Sequence, residues 1–169
     1  MDVFDAVRTL LAVRQYKADP VPDEVVRRIL EAARLSGSAS NGQPWHFVVV
    51  QDRDTIEEIG GIVTTGPYIA GAPLAIVVAV DKTRFAFSDV SRAIQSMVLT
   101  AWDAGVGSNW AGGPGHLDGL KPLLGIPDEL DVVAVLPFGY PAVEVGAGKK
   151  NRKPLGEIAH RERFGTPFE

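Results

Sequence analysis

Cysteine is absent from the chain. That excludes disulfides, thiolate nucleophiles and cysteine-ligated zinc or iron–sulfur centres. Histidine is scarce: His46, His116 and His160 lie far apart, with no His-Glu-x-x-His or comparable spacing, and read as surface or packing residues. Positive charge is not in excess, since 17 basic against 21 acidic residues leave a net charge of −4. General nucleic-acid binding needs a basic field and is not expected. Long apolar runs are missing too. The longest, residues 69–80, contains Gly71 and Pro73 and is too short to cross a bilayer as a helix, so no membrane partner is expected. Asp2 and Asp5 sit in an amphipathic N-terminal pattern rather than a basic segment before an apolar run. No signal peptide is therefore expected, and the expected location is the cytoplasm.

Several catalytic motifs are also lacking. There is no Gly-x-Ser-x-Gly elbow. Gly105-Val106-Gly107 begins like a dinucleotide loop, but Trp110 stands where the third glycine belongs and the segment follows a helical pattern. Gly148-Lys149 resembles the end of a phosphate loop, but Lys150 replaces the required Ser or Thr. With neither a side-chain nucleophile nor a metal cluster in the sequence pattern, any demanding chemistry must come from an organic cofactor.

What is present is an ordinary globular chain. Its 169 residues suit one domain spanning 1–169, and 46% apolar with 22% charged residues supports a packed core. The spacing predicts a helix over residues 2–13, with Val3, Phe4, Val7, Leu10 and Leu11 on its apolar face. Pro22 suits the start of a second helix, with Val25, Val26, Ile29, Leu30 and Ala33 as its buried stripe. Residues 45–50, 74–80 and 132–138 read as strands, the first covered on both faces. Residues 54–60 read as a short helix, and so do residues 117–124. The clearest helix opens at Ser88 or Asp89 and closes at Gly105, with Trp102 on its apolar stripe. The alternation indicates a layered sandwich of helices and buried strands.

Some polar and cationic positions stand out. Arg14 sits just past the first helix. Ser38-Ala39-Ser40-Asn41-Gly42-Gln43 is a loop of small hydrogen-bonding residues before a core strand. Lys150 and Arg152, at i and i+2, fall on one side of an extended segment in a tail that also carries Lys149 and Lys153. Taken singly, each has an equally good ordinary reading: a solvated helix-end charge, a turn and a solubilising tail.

Together these segments resemble the FMN-dependent nitroreductase family. The resemblance runs from Val13-Arg14-Gln15-Tyr16 through Asn41-Gly42-Gln43-Pro44-Trp45 to Ser108-Asn109-Trp110-Ala111-Gly112. It continues in Phe138-Gly139-Tyr140-Pro141 and Lys150-Asn151-Arg152-Lys153-Pro154. It covers nearly the whole chain; the Asn-x-Gln-Pro-Trp motif is specific, whereas the glycine-rich segments alone are not. It implies an α+β fold, a three-layer sandwich of a central mixed sheet with helices on both faces. It also implies an intertwined homodimer with one FMN at each of two subunit interfaces. Carried over by position, Arg14 lies near the flavin N1 and O2, where a cation stabilises the negative charge that develops on reduction. Ser38, Ala39 and Asn41 approach from the partner subunit, and Ser40 and Gln43 of the same loop are also counted as cofactor-binding. Thr65 falls near the pyrimidine edge, and Tyr68 near a position that often carries a second cation. Ala111 and Gly112 lie near N5 and O4, Lys150 and Arg152 at the phosphate, and Trp110 is also counted among the cofactor-binding residues.

One departure stands out. The family usually carries Arg-Arg-Ser-Val-Arg where this chain reads Leu10-Leu11-Ala12-Val13-Arg14. Two phosphate anchors are missing, which puts the cofactor's tightness and its identity as FMN or a deazaflavin in question. Arg8, about one turn earlier, is a substitute anchor; Leu10 and Leu11 otherwise enlarge the core stripe. Only seven residues separate Val80 from Ser88, where larger members insert a helical excursion. This predicts an open site with Phe85, Phe87 and Trp110 as its remaining apolar lining.

The implied activity is hydride transfer from NAD(P)H through flavin N5 to an electron-poor small-molecule acceptor, a nitroaromatic or quinone, in a ping-pong cycle. No catalytic side chain is expected. The alternative is a non-catalytic flavin- or deazaflavin-binding protein of the same fold.

Overall fold

A computed structural model describes residues 1–113, 117–146 and 150–168. His116, Gly148 and Lys149, singled out above, lie outside the described residues.

The centre is a four-stranded sheet of β1 (Trp45–Val50), β2 (Leu74–Asp81), β3 (Gly107–Ser108) and β4 (Leu130–Gly139), in the order β1-β2-β4-β3. Among the described residues the three strand pairs are antiparallel, and a parallel element enters through the bridge from Ala12 to Ser108. Residues 74–80 of β2 are buried throughout, which explains their unbroken apolar run. Successive side chains point to opposite faces. Leu74, Ile76, Val78 and Val80 meet one helical layer, made by α2 (Asp23–Arg34) and α4 (Ala86–Asp103). Ala75, Val77 and Ala79 meet the other, which includes α3 (Arg53–Ile62) and α5 (Leu120–Leu124). This is the α+β layering expected from the sequence.

Other expectations need correction. Strand β1 is an edge strand, and His46 and Val49 are exposed on it, so it is not covered on both faces. The first helix, α1 (Val3–Thr9), stops at Leu10, whose ψ of 124° is extended. From there the chain runs beside the sheet: Val13 N–H donates to the Ser108 carbonyl at 2.9 Å, and Ala142 N–H donates to the Gln15 carbonyl at 2.9 Å. Pairing with the sheet thus overrides helical spacing at residues 10–13. The expected apolar face of α1 is not core. Val3 is 78% and Phe4 75% exposed, while Leu10 and Leu11 are half-buried.

The stripe of α2 is as expected, with Val26, Ile29 and Ala33 buried and Val25 and Leu30 packed against the core. The long helix α4 starts at Ala86, three residues before Asp89. Trp102 is half-buried at the α1 contact, and its indole N–H donates to Thr9 Oγ1 at 3.0 Å. That bond needs a position at the helix boundary rather than in the apolar interior.

Asp52 caps α3: its carboxylate accepts from Thr55 N–H at 2.9 Å and from the Thr55 hydroxyl at 2.6 Å. These bonds hold the carboxyl below its usual value of 3.8. A depressed carboxyl pKa adds stability that is complete above the unfolded value and disappears as pH falls through the folded one. Asp52→Ala is therefore expected to lower the melting temperature slightly near neutral pH, with the difference from the parent shrinking below pH 3.8. Paired calorimetric scans at neutral and acid pH check this.

Candidate functional site

The segment that leaves α1 and the loop that follows β3 enclose a groove of about 720 Å³ with the middle of α4 and the C-terminal tail. Its apolar wall is Leu10, Leu11, Ile94, Val98 and Trp110, and Arg8, Lys150 and Arg152 supply its charge. No acidic side chain lines it among the described residues. The Lys150 ammonium donates to the Val7 carbonyl at 2.5 Å, in the open last turn of α1. Arg152 donates to the Asn151 carbonyl at 2.9 Å. Neither cation is neutralised by these neutral acceptors. Arg8 pairs with Asp5 at 2.9 Å in an exposed i, i+3 contact, the kind of pair that is weakly held and readily exchanged.

Asn109 connects this groove to a second cluster: it lines the groove and donates its amide N–H to the Tyr68 hydroxyl. The guanidinium of Arg14 stands over the Tyr68 ring, 5.8 Å from its centroid. Arg14 is presented by the extended 10–17 segment, which Val13 and Tyr16 pin from either side. Val13 is buried, and the Tyr16 hydroxyl donates to the Val13 carbonyl at 2.5 Å. Burial pushes the Tyr16 phenol well above its usual range, so it remains a neutral donor.

Ala111 is buried and exchanges both backbone hydrogen bonds with Val135, at 2.9 and 3.0 Å. Gly112 has φ of +89°, and a Cβ there would stand 2.6 Å from Leu117 Cδ2, so this turn needs glycine on both counts. Thr65 is exposed and adjoins Gly66, whose missing Cβ leaves room for the Ala111 methyl.

The structure thus brings Lys150, Arg152 and Trp110 together, with Arg14 and Tyr68 joined to them through Asn109. It also brings in Arg8, and it moves Leu10 and Leu11 from the expected core stripe to the groove wall. Trp110 lies 6.1 Å, ring to ring, from the exposed Phe87. Within one chain, none of Ser38, Ala39, Ser40, Asn41 or Gln43 lines the groove. That loop is instead held to α4. Ala39 N–H donates to both oxygens of the buried Asp89 carboxylate, at 3.1 and 3.2 Å, and Arg92 pairs with the same carboxylate.

Sequence reading overlooked Asp89, Arg92 and Asn109. Asp89 could have been found from spacing, because it stands four residues before Ala93 and eight before Met97, on the stripe that α4 buries. An acidic residue on such a stripe requires a partner. Nothing in the spacing marks Asn109.

A cationic, acid-free recess with apolar walls, joined to an arginine over an aromatic ring, suits a planar ligand that ends in a phosphate. FMN has that form, and the residues present fit it.

Comparisons with known proteins agree. The model of the Nitroreductase family matches residues 11–67 and 64–140. A putative NADH dehydrogenase/NAD(P)H nitroreductase of Methanothermobacter thermautotrophicus is 35% identical over 154 residues, covering 86% of this chain and 81% of that protein. A protein of the same description from Archaeoglobus fulgidus is 33% identical over 167 residues, covering 94% and 96%. The solved FMN-dependent nitroreductase of Clostridium difficile superposes with a TM-score of 0.87 at 25% identity, over 96% of this chain and all of that one. Fold, motifs and relatives converge, and the chain belongs to the nitroreductase family.

Proposed function

We propose that this protein is an FMN-dependent oxidoreductase that takes hydride from NAD(P)H and passes it to an electron-poor acceptor, nitroaromatic or quinone in type, by a ping-pong cycle. The observation that carries this reading is the acid-free groove lined by Arg8, Lys150 and Arg152, with the Arg14–Tyr68–Asn109 cluster connected to it. Bound FMN supplies a hydride relay at its N5, so no side chain has to serve as nucleophile or metal ligand.

The chain's own residues hold and polarise. Lys150 and Arg152 bind the phosphate, Arg152 as a planar fork and Lys150 as a point charge, with Arg8 swinging from Asp5 to join them. Arg14, standing over the Tyr68 ring, supplies a cation to the pyrimidine edge, to which Thr65 also hydrogen-bonds. Ala111 and Gly112 present backbone without bulk, and Trp110 excludes water from the apolar wall. The exposed Phe87, beside Trp110, and the exposed Phe85 at the start of α4 border an open acceptor side that discriminates weakly among substrates.

The same proposal includes a homodimer, in which the 38–43 loop of one subunit completes the cofactor site of the other, and a cytoplasmic setting for a single unit spanning 1–169. Its support is the exposed apolar surface: Val3 and Phe4 on α1, and Phe164, 94% exposed, beyond α6 (Leu155–Ile158). Light scattering is expected to give twice the chain mass; a monomer overturns the shared site.

A second reading, a non-catalytic flavin- or deazaflavin-binding protein, is favoured by Leu10, Leu11 and Ala12 lining the groove where the resemblance calls for polar anchors. Steady-state oxidation of NAD(P)H with added FMN separates the two. Turnover with a quinone or nitro acceptor is expected, and its absence leaves the binding protein.

A further inference from the structure

Residues 38–43 form a turn of unusual backbone. Ser40, Asn41 and Gln43 all have positive φ, at 51°, 55° and 49°, although none is glycine. Such conformations persist only where the surroundings over-determine them. The loop's internal bonds are short-range: Gln43 N–H to Ser38 Oγ at 2.9 Å, and the Gln43 side-chain amide to the Asn41 carbonyl at 3.1 Å. Among the described residues, the side-chain hydrogen bond that ties this loop to another element is the one from Ala39 N–H to Asp89.

Asp89 is 2% exposed. Its charge is tolerated because it lies in the first turn of α4, accepts from Ala39 and pairs with Arg92. Stability alone gives no reason for a carboxylate at this position. Its neighbours on the stripe are alanine, valine and methionine, and a carboxylate among them must give up its water, a cost that Arg92, itself more than half exposed, offsets only in part. What a carboxylate offers and an aliphatic side chain does not is an acceptor aimed at a backbone N–H, at the residue just before the strained turn.

We propose that Asp89 is a positioning residue for cofactor binding: with Arg92 it clamps Ala39 and so holds the 38–43 turn, before any ligand arrives, in the conformation that meets the flavin. The effect is preorganisation, since a turn already ordered loses little further freedom when the cofactor binds. The inference rests on the reading above that this loop contacts the flavin across the subunit interface.

The test combines hydrogen exchange of the flavin-free protein with FMN titration, followed by flavin fluorescence, for Asp89→Asn and Arg92→Ala. In Asp89→Asn the charge is lost and a single acceptor remains. Amides 39–43 are then expected to exchange about tenfold faster or more, and the FMN dissociation constant to rise about tenfold, in keeping with loss of a charge-assisted hydrogen bond. Amides of β2 and β4 report global stability separately and are expected to keep their protection. Arg92→Ala is expected to shift both readouts in the same direction by less, and decides the matter should Asp89→Asn fail to fold. Unchanged exchange at 39–43 overturns the clamp, whatever happens to FMN affinity. Faster exchange with unchanged FMN affinity leaves the clamp intact and overturns the loop's contact with the flavin, and with it Asp89's role in cofactor binding.

Discussion

Replacing Lys150 and Arg152 together with alanine is expected to raise the FMN dissociation constant by about a hundredfold or more. A hydrogen bond to a charged group contributes about 1.5–3 kcal/mol, and about 1.4 kcal/mol corresponds to tenfold in affinity. Two such anchors therefore span roughly two to four powers of ten. The effect is large here because Leu10, Leu11 and Ala12 leave no polar side chain on that stretch of the groove, so on the proposed reading the phosphate falls to the remaining cations. Arg8 is the remaining candidate, and Arg8→Ala is expected to weaken FMN by a smaller factor, since its exchange from Asp5 is close to balanced. Because the groove is open to solvent, affinity should fall as ionic strength rises, and the double variant should lose most of that salt dependence. Fluorescence titrations at low and high salt measure both. Lys150 also bonds to the Val7 carbonyl, so circular dichroism of the variant should accompany the titration to report any fraying of α1.

The second large effect is structural and reaches the site through one contact. Gly107 in β3 packs against Val13: a Cβ added there would stand 2.4 Å from Val13 Cγ2 and 2.7 Å from Val13 Cβ. The Cβ of Val13 cannot rotate away, because it is fixed to a backbone that is itself bonded to Ser108. Gly107→Ala must push residues 12–14 off the sheet. Overpacking of this kind costs about 1–3 kcal/mol, which in a domain of this size lowers the melting temperature by roughly 2–12 °C. Arg14 follows Val13 directly, so FMN affinity should fall with stability. Pairing Gly107→Ala with Val13→Ala removes the Cγ2 clash but keeps the Cβ one, and should recover only part of both losses. A Gly107→Ala protein that melts within a degree of its parent contradicts this account of how Arg14 is placed.

Much of this fold was legible in the sequence where one signal dominated. The unbroken apolar run of β2 and the stripe of α2 were read correctly because burial on both faces, or on one helical face, leaves a pattern that neighbours cannot mimic. Reading went wrong where two demands overlapped. Residues 10–13 keep helical spacing yet pair with Ser108, and only the tertiary fold decides between those outcomes. Strand β1 looks like a core strand because its residues are β-branched and aromatic, but its edge position is a property of the strand order and not of its composition. The exposed Val3 and Phe4 follow the same logic: their spacing marks an apolar face and says nothing about which surface covers it.

The site was legible in part, and chiefly as a resemblance. Arg14, Lys150 and Arg152 taken singly could not be told from solvated charges; the fold gives them a shared setting by bringing the tail against α1 and the 10–17 segment against the sheet. The sequence pattern makes Asp89 a residue that opens its helix, which hides its other role. The helix starts three residues earlier, and Asp89 is buried within its first turn, where a carboxylate has to find a donor and finds Ala39.

The central claim is that this groove holds FMN. Its most direct test is an absorption spectrum of the protein as purified and after incubation with FMN, with the released chromophore identified by mass. The account predicts a flavin spectrum and the mass of FMN, with one chromophore per chain. A different chromophore, or a protein that stays colourless and takes up no FMN, would contradict it.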